Sequence, residues 1–416
     1  MQVLPLTVAV ATRLLERRRR PDALAEATAR RIVADVRRRG DVAVASWTRR
    51  LDGPEAAPAK LRVTPQVIAR AQRAIGADFR RSLARAARNI RRVARRQMPQ
   101  AWTVRVEPGV RVGQIVRPLA AVGCYVPGGR YPLVSTLLMT VLPAQVAGVP
   151  RIVVACPRPS RELLAAAGAL GVSEVLRVGG AQAIAALAYG TETIAPVEKI
   201  VGPGNRWVAA AKRLVSGDVA VDMVAGPTEV LVLATRGDAR YIAADLVAQA
   251  EHDPDAVALL VTTSRALASR VQAEVRLQLA ALPAGNPARQ ALGRRGAALV
   301  AASLEDAIRF ASRFAPEHLS LPGGRALLRR LDAAGSVFIG PFSAQSAGDF
   351  ATGSNHSLPT GGTARFRGGL GAADFVRCIS VQEITRVGLR RLAPVVRAFA
   401  EAEGLAAHAR AVEIRL

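Results

Sequence analysis

Apolar and polar positions alternate along this chain in two textures. From about residue 115, short runs rich in valine and isoleucine, such as RIVVACP at 151–157, are followed by alanine-rich stretches of helical length, such as SRELLAAAGALG at 160–171. The short runs have the length and composition of buried strands, and the longer stretches those of helices. Repeated strand–helix alternation predicts a parallel sheet covered by helices, with ligands expected at the carboxyl ends of its strands.

The alternation restarts further along the chain. The strand-like run EVLVLAT (229–235) is followed by a predicted helix over Ala239–Glu251, a second strand AVALLVTT (256–263) and a helix over Arg265–Ala281. We therefore predict an α/β fold with two tandem Rossmann-like parallel-sheet units, an N-terminal helical segment and a C-terminal helical tail.

The N-terminal segment has helical spacing of arginine, alanine and leucine, which predicts helices near Ala23–Arg39 and Pro65–Arg96. The predicted divisions are residues 1–113 for this mainly helical segment, 114–227 for the first α/β unit, 228–360 for the second α/β unit and 361–416 for the tail.

Charge adds one alternative to this picture. The chain carries a formal charge of +26, from 58 basic and 32 acidic residues, and only Lys60, Lys199 and Lys212 are lysines. Such an excess is typical of proteins that bind nucleic acid or anionic membranes. The arginines lie in alanine-rich, helix-favouring sequence without aromatic-interleaved basic motifs. We therefore favour solvated helix faces and expect no nucleic-acid partner.

The cysteines and the apolar stretches bear on location. Cys124, Cys156 and Cys378 are widely spaced and form no CxxC pair, which predicts a reducing, cytoplasmic environment. In the apolar stretch at 3–11 the charges follow instead of preceding, unlike a secretory signal. The most apolar region, 133–155, is interrupted by proline, glycine and arginine, so it predicts a helix, a turn and a strand and no membrane span.

The four histidines are the first candidates for chemistry. His252, His318, His356 and His408 all lie among polar or acidic residues, although a single histidine is more often structural. Gln249 and His252 are three residues apart near the end of a predicted helix, so both side chains can project from one face of it. An amide oxygen and an imidazole suit zinc, and a helix C-cap is the structural alternative.

Two further pairs of polar residues stand out. Glu317 and His318 are adjacent in APEHL, where a carboxylate and an imidazole can divide general acid–base work. Asp349 and His356 lie in a stretch without hydrophobic periodicity, which predicts a loop that serves either turns or a ligand. No GxGxxG follows a predicted strand, so the usual dinucleotide motif is absent. Residue-level reasoning thus ends at an α/β enzyme with a candidate metal site.

Eight motifs extend this result, because together and in this order they resemble histidinol dehydrogenases over nearly the whole chain. They are CYVPGG (124–129), VGGAQAIAALAYGT (178–191), KIVGPGN (199–205), DMVAGPTEVLVLA (222–234), ADLVAQAEHD (244–253), APEHL (315–319), GDFATGSNHSLPTGGTAR (348–365) and LAAHARAV (405–412).

The resemblance implies a role for each matching residue. The implied zinc ligands are Gln249, His252, Asp349 and His408. The implied catalytic residues are Glu317, which activates water, and His318, the principal base. The implied substrate contacts are Thr228, His356 and Glu403, together with His318 and the zinc ligands. The implied NAD contacts are Tyr125, Gln182 and Asn205, which places the cofactor on the first α/β unit.

The implied chemistry is a four-electron oxidation of L-histidinol, through the aldehyde, to L-histidine with two NAD. Zinc, one per subunit, would mainly position the substrate. The resemblance also implies a homodimer whose C-terminal tail crosses to the neighbouring subunit, so that His408 and Glu403 complete that subunit's site.

Two departures from the family pattern leave alternatives open. Ala344-Gln345-Ser346 stands where the family usually has Pro-Glu-Ser, and GLGAADF at 369–375 replaces GLSV-x-DF. The nearest alternative is a paralogue with the same zinc and NAD apparatus that oxidises another small alcohol, such as a sulfonated diol. An alternative of another class is an arginine-rich nucleic-acid-binding protein, which would show steeply salt-dependent binding.

Overall fold

A computed structural model describes residues 1–18, 22–53, 61–128 and 132–416. The strands in chain order are β1 (Gln2–Pro5), β2 (Trp102–Glu107), β3 (Val110–Pro118), β4 (Ala121–Tyr125), β5 (Arg151–Ala155), β6 (Glu174–Leu176), β7 (Lys199–Val201), β8 (Ala220–Val221), β9 (Glu229–Leu233), β10 (Val257–Thr262), β11 (Ala297–Val300), β12 (His318–Leu321), β13 (Ser336–Ile339) and β14 (Val376–Ile384).

The α-helices are α1 (Val8–Arg17), α2 (Ala23–Asp52), α3 (Pro65–Ala74), α4 (Ala77–Arg96), α5 (Val134–Ala147), α6 (Arg161–Ala169), α7 (Gly180–Tyr189), α8 (Arg206–Val215), α9 (Ala239–Ala250), α10 (Arg265–Ala281), α11 (Ala288–Arg294), α12 (Leu304–Phe314), α13 (Gln345–Phe350), α14 (Arg386–Ala402) and α15 (Ala406–Glu413). Short 3-10 helices cover Arg325–Arg330, Thr363–Arg365 and Ala372–Phe375.

The first parallel sheet has the strand order β6-β5-β4-β7-β8. The wholly buried strand β4 lies at its centre, with Val122 and Cys124 in one core and Ala121 and Tyr125 in the other. Helices α5 and α6 cover one face of the sheet, and α7 and α8 cover the other. The chain runs outward from β4 through β5 to β6 and returns on the other side at β7, so the strand order reverses between β4 and β7.

The second parallel sheet has the order β1-β11-β10-β9-β12-β13. Helices α9, α10 and α11 pack on one face, and α1 and α12 pack on the other. Its order reverses between β9 and β12, in the same way as in the first sheet. These two sheets confirm the predicted α/β class.

The N-terminal segment is mainly helical, as predicted, but it also contains strands that were not predicted. Strand β1 belongs to the second parallel sheet, and β2 and β3 form an antiparallel sheet with β14 from the tail, in the order β14-β3-β2. The predicted division at residue 113 therefore cuts through β3. The expected helices are present, but α2 continues to Asp52 across a break at Gly40, and the second helix is divided into α3 and α4 by an extended Ile75.

The segment from Leu133 to Ala155 forms α5, a turn and β5, as predicted. In the described part of the chain, no helix combines the length and the apolar character needed to cross a membrane.

Candidate active site

The adjacent residues Glu317 and His318 lie at the amino end of β12. His318 is in register with Val230 of the neighbouring strand β9, so this chemistry lies at the amino edge of the second sheet. The expectation that ligand groups collect at carboxyl ends is wrong for this sheet. Helix α12 ends at Phe314, Ala315 caps it with φ of 46°, and the chain then turns into β12 through a proline. A left-handed alanine costs roughly 1 kcal/mol, and such strain is typical of functional sites.

The Glu317 carboxylate is buried against the start of β9. Its Oε2 accepts hydrogen bonds from Thr228 Oγ1 at 2.5 Å and from the Glu229 N–H at 2.8 Å. Burial raises the pKa of Glu317 to about 7, although His318 and these two hydrogen bonds oppose the rise. A carboxyl group with this pKa can give up or take a proton near neutral pH.

The His318 imidazole is buried between carboxylates. Its Nδ1 lies 3.2 Å from the Glu229 carbonyl oxygen and 3.7 Å from Glu317 Oε2, and its Nε2 lies 3.5 Å from Asp349 Oδ1. Burial alone would lower the pKa of His318, but the carboxylates of Glu317 and Asp349 outweigh it and raise the pKa to about 9. Among the described residues Nε2 is buried without a hydrogen-bond partner, whereas Nδ1 faces a carbonyl oxygen, so Nε2 is the ring atom that carries the lone pair when the ring is neutral.

Glu229 supports both groups through its backbone, and its side chain is held by Arg18. The Arg18 Nε donates to Glu229 Oε1 at 2.6 Å, a second bond completes a buried bidentate pair, and the guanidinium lies 3.6 Å from the centre of the Phe314 ring. Burial raises the pKa of Glu229 despite the arginine. Sequence reasoning missed Glu229 and Arg18, although a glutamate opening an otherwise apolar strand was a signal.

Several proposed metal donors converge beside His318. Gln249 ends α9 and is buried, and Asp349 in α13 is buried as well. Burial would raise the pKa of Asp349, but the imidazoles of His318, His356 and His252 lower it, so the carboxylate is ionised, as a metal ligand must be. His252 lies on the exposed side of this group.

The donor set within one chain fits a zinc-like ion but is incomplete. Within the described residues, no three His, Cys, Asp or Glu side chains are grouped so that they could hold a metal. The predicted set offers only His252 and Asp349 of those types near each other, with the amide of Gln249 beside them. Amide oxygen, imidazole and carboxylate are all zinc donors, so these three side chains fit zinc in their chemistry.

Gln345, one of the two departures, contacts this set directly. Its Nε2 donates to Gln249 Oε1 at 2.6 Å, and the Gln249 Nε2 donates in turn to Thr228 Oγ1. A directed chain of hydrogen bonds therefore runs from Gln345 through Gln249 and Thr228 to Glu317.

The loop that carries His356 joins the two α/β units. His356 Nδ1 lies 3.0 Å from the Asp349 carbonyl oxygen, and its Nε2 lies 3.2 Å from Thr136 Oγ1 in the first turn of α5. Asn355 donates to the Met139 carbonyl in the same helix at 2.7 Å. Burial lowers the pKa of His356, which favours a neutral ring. Sequence reasoning missed Thr136, whose position in an apolar helix gave no signal.

The three expected cofactor residues lie near the carboxyl ends of the first sheet. Tyr125 ends β4, where its hydroxyl accepts from the Gly180 N–H at 3.2 Å and burial raises its pKa to about 12. Gln182 is fully buried, and both polar atoms of its side chain lack a hydrogen-bond partner among the described residues. Asn205 follows β7 and caps α8, accepting from the N–H groups of the second and third residues after it, both at 3.1 Å. They surround the point where the strand order reverses, the usual ligand crevice of such sheets.

Glu403 and His408 are not brought to this site. Both side chains are exposed on the C-terminal helices α14 and α15. Across the described residues, no hydrogen bond or ion pair joins either of them to His318 or Asp349.

The fold and the site together define an α/β protein with a buried carboxylate–imidazole pair at the amino edge of its second parallel sheet. A model of the histidinol dehydrogenase family matches residues 15–416. The chain is 49% identical over 396 residues to the histidinol dehydrogenase of Geobacillus kaustophilus, with 92% of each protein covered. It is 45% identical over 394 residues to that of Methanothermobacter thermautotrophicus, again with 92% of each covered. The crystal structure of histidinol dehydrogenase from Elizabethkingia anophelis superposes with a TM-score of 0.93 at 35% identity, covering 100% of this chain and 98% of that one. The chain belongs to the histidinol dehydrogenase family.

Proposed function

We propose that this protein oxidises L-histidinol to L-histidine with two NAD, through the aldehyde L-histidinal. The observation that carries the proposal is the buried Glu317–His318 pair, held on the backbone of Glu229 beside the Gln249 and Asp349 donors. The substrate is that named for the relatives to which the chain is similar. Proximity of two groups with distinct protonation behaviour suits a reaction that moves protons from an alcohol and then from water.

In the first step, His318 Nε2 accepts the proton of the substrate hydroxyl. A hydride passes to NAD from the carbon that carries this hydroxyl, which gives the aldehyde. In the second step, Glu317 accepts a proton from the water that adds to the aldehyde carbon. A hydride then passes from the hydrate to a second NAD and leaves the carboxylate. One water is consumed, and two NADH and three protons are formed.

Zinc is proposed on Gln249, His252 and Asp349, with the fourth ligand, His408, from a second copy of the chain. When bound, zinc would hold the imidazole and amino nitrogens of the substrate. We further propose that Thr228 and His356 contact the substrate from this chain, whereas Glu403 does so from the second copy.

A second copy is proposed because the antiparallel sheet leaves apolar side chains uncovered. Trp102, Val104 and Val106 alternate along β2, and all three are exposed. The tail adds exposed Phe399 and Ile414. Exposed apolar side chains in a row, as on β2, are typical of a protein interface. A dimer that covers this apolar surface would also bring the tail to the site of the neighbouring subunit. His408 of the tail would then supply the fourth zinc ligand there.

The proposed NAD site is the crevice at the reversal point of the first sheet, with Tyr125, Gln182 and Asn205. The unpartnered amide of Gln182 supports this, because a buried polar group without a partner is costly unless a ligand satisfies it. A cytoplasmic location is proposed from the three free cysteines, of which Cys378 is exposed.

The decisive experiment measures NADH formed by zinc-loaded protein from limiting L-histidinol, with the sulfonated diol assayed in parallel. Two NADH per histidinol, lost with a chelator and regained with zinc, would support the proposal. Turnover of the diol alone would assign the chain to another substrate of the same apparatus. Turnover of neither compound would refute the proposed function.

A further inference from the structure

A lysine and an aspartate form an ion pair in the interior of the first α/β unit. Lys212 in α8 is 1% exposed and Asp222 is 0% exposed, and the Lys212 Nζ donates to the Asp222 carboxylate. Lys212 is among the largest fully buried side chains described. The chain has three lysines among 58 basic residues, so a lysine here stands out against its general use of arginine. A compact ammonium offers three donors to groups on different sides, which a planar guanidinium does not.

Two further hydrogen bonds of this pair are made with the backbone of the turn at Gly202, and a third is made with the Met223 N–H. Lys212 Nζ donates to the Gly202 carbonyl oxygen at 2.8 Å, and the Gly202 N–H donates to Asp222 Oδ2 at 2.7 Å. The Met223 N–H donates to Asp222 Oδ1 at 2.6 Å. The pair therefore fixes the peptide groups on both sides of Gly202.

Gly202 is held in a conformation that the pair helps to impose. Its φ is +111°, which disfavours any residue with a side chain, and a Cβ there would lie 2.0 Å from the Tyr125 carbonyl oxygen. The turn thus crosses the end of β4 at the reversal point of the sheet. Asn205 lies three residues later and caps α8. The positions of Tyr125 and Asn205 therefore both depend on the position of this turn.

A buried ion pair is by itself weak evidence for a role in stability. Replacing a buried ion pair with apolar residues is often neutral or stabilising, whereas removing one partner alone is strongly destabilising. What an apolar replacement cannot supply is a donor and an acceptor for the two peptide groups beside Gly202. We propose that Lys212 and Asp222 are positioning residues that hold the 202–205 turn for binding of the dinucleotide. The inference rests on the proposed NAD-dependent function.

The test replaces both charges at once, in the variant Lys212→Met/Asp222→Leu. Calorimetry measures the dissociation constant for NAD, and steady-state kinetics measures KM for histidinol separately. We expect NAD affinity to fall by about tenfold or more because preorganisation of the turn is lost. The KM for histidinol should stay unchanged, since no donor of that site touches the pair. The matched control is Arg213→Met/Glu26→Leu, which removes an exposed ion pair from the next residue of α8 and should change neither value.

Asp222→Asn is the second variant. Its amide oxygen can still accept from the Gly202 N–H, but its NH2 group then meets the Lys212 ammonium and the Met223 N–H, from which the carboxylate accepts in the unaltered protein. It should therefore also weaken NAD binding and leave the KM for histidinol unchanged. Unchanged NAD affinity in a folded double variant would overturn the inference while leaving the proposed function intact. Failure of the unaltered protein to bind NAD would overturn both. Failure of both variants to fold would also overturn it, because the pair would then serve the fold and not the turn.

Discussion

His318 Nδ1 lies 3.2 Å from the carbonyl oxygen of Glu229. A carbonyl oxygen can only accept, so in the neutral ring Nδ1 carries the hydrogen and Nε2 carries the lone pair. The backbone of one residue therefore selects the tautomer of the base. The same residue's N–H binds Glu317, so both acid–base groups are fixed to one point at the start of β9.

The alcohol step should depend on the protonation of His318. Because the pKa of His318 is raised to about 9, the ring is protonated at neutral pH, and kcat/KM for histidinol should rise with pH up to about 9. Glu317→Gln removes a carboxylate that raises this pKa. The rise of kcat/KM with pH should therefore occur at lower pH in the variant. The measurement is a pH profile of both proteins. A rise that stays in place or moves to higher pH in the variant would contradict this assignment.

Glu317→Gln should also separate the two half-reactions. Loss of the carboxylate removes the group that accepts a proton from water, so oxidation of histidinal should fall by about 10²-fold or more. Oxidation of histidinol near pH 9 should fall less. Single-turnover measurements with each substrate give the two rates. Glu305→Gln, at an exposed ion pair with Arg330, is the matched control, and equal losses in both steps would count against the division of roles.

Shared sites can be tested by mixing two inactive proteins. His252→Asn and His408→Asn should each lose zinc and most activity, because each removes a ligand. If His408 serves the neighbouring subunit, a hybrid dimer of the two variants has one site with both ligands intact. Mixed and reassembled protein should therefore regain activity and bound zinc. Hybrids that remain inactive would mean that the tail does not cross between subunits.

The Gln345 hydrogen bond to Gln249 predicts an effect on metal affinity. Gln345→Ala leaves the Gln249 amide without its 2.6 Å donor, so the ligand loses its fixed orientation. Zinc affinity should fall by about 10- to 100-fold, the usual cost of losing a group that orients a ligand. Competition with a chromogenic chelator measures it without relying on turnover. Gln66→Ala, on the exposed start of α3, should bind zinc like the unaltered protein, and so should Gln345→Ala if the bond has no such role.

Local periodicity was sufficient for the two parallel sheets but not for the third. The runs that predicted β9 and β10 are buried and mainly apolar, and each is followed by a helix. The alternating pattern WTVRVE of β2 is also a strand signal, but it lies in arginine-rich sequence and pairs with β3, which in turn pairs with β14 from the far end of the chain. Nothing local specifies such a partner.

The site was predictable as a set of residues and not as an arrangement. Of the four histidines singled out in the sequence, His252, His318 and His356 lie at the site and His408 does not; the roles that the family motifs imply stay predictions. The amino-edge position of His318 depends on the turn after α12, and the Arg18–Glu229 contact joins residues 211 positions apart. Long-range contacts of this kind depend on packing, which a pattern along the chain does not encode.

Strand β1 has a consequence for the order in which the protein is made. It pairs only with β11, so Gln2–Pro5 leaves the ribosome long before its partner Ala297–Val300 exists. At ordinary elongation rates this interval lasts roughly a quarter of a minute to a minute. The first sheet comes from the continuous stretch 121–221 and can close within it. The second sheet is completed later, so β1 waits without its partner until β11 has been made.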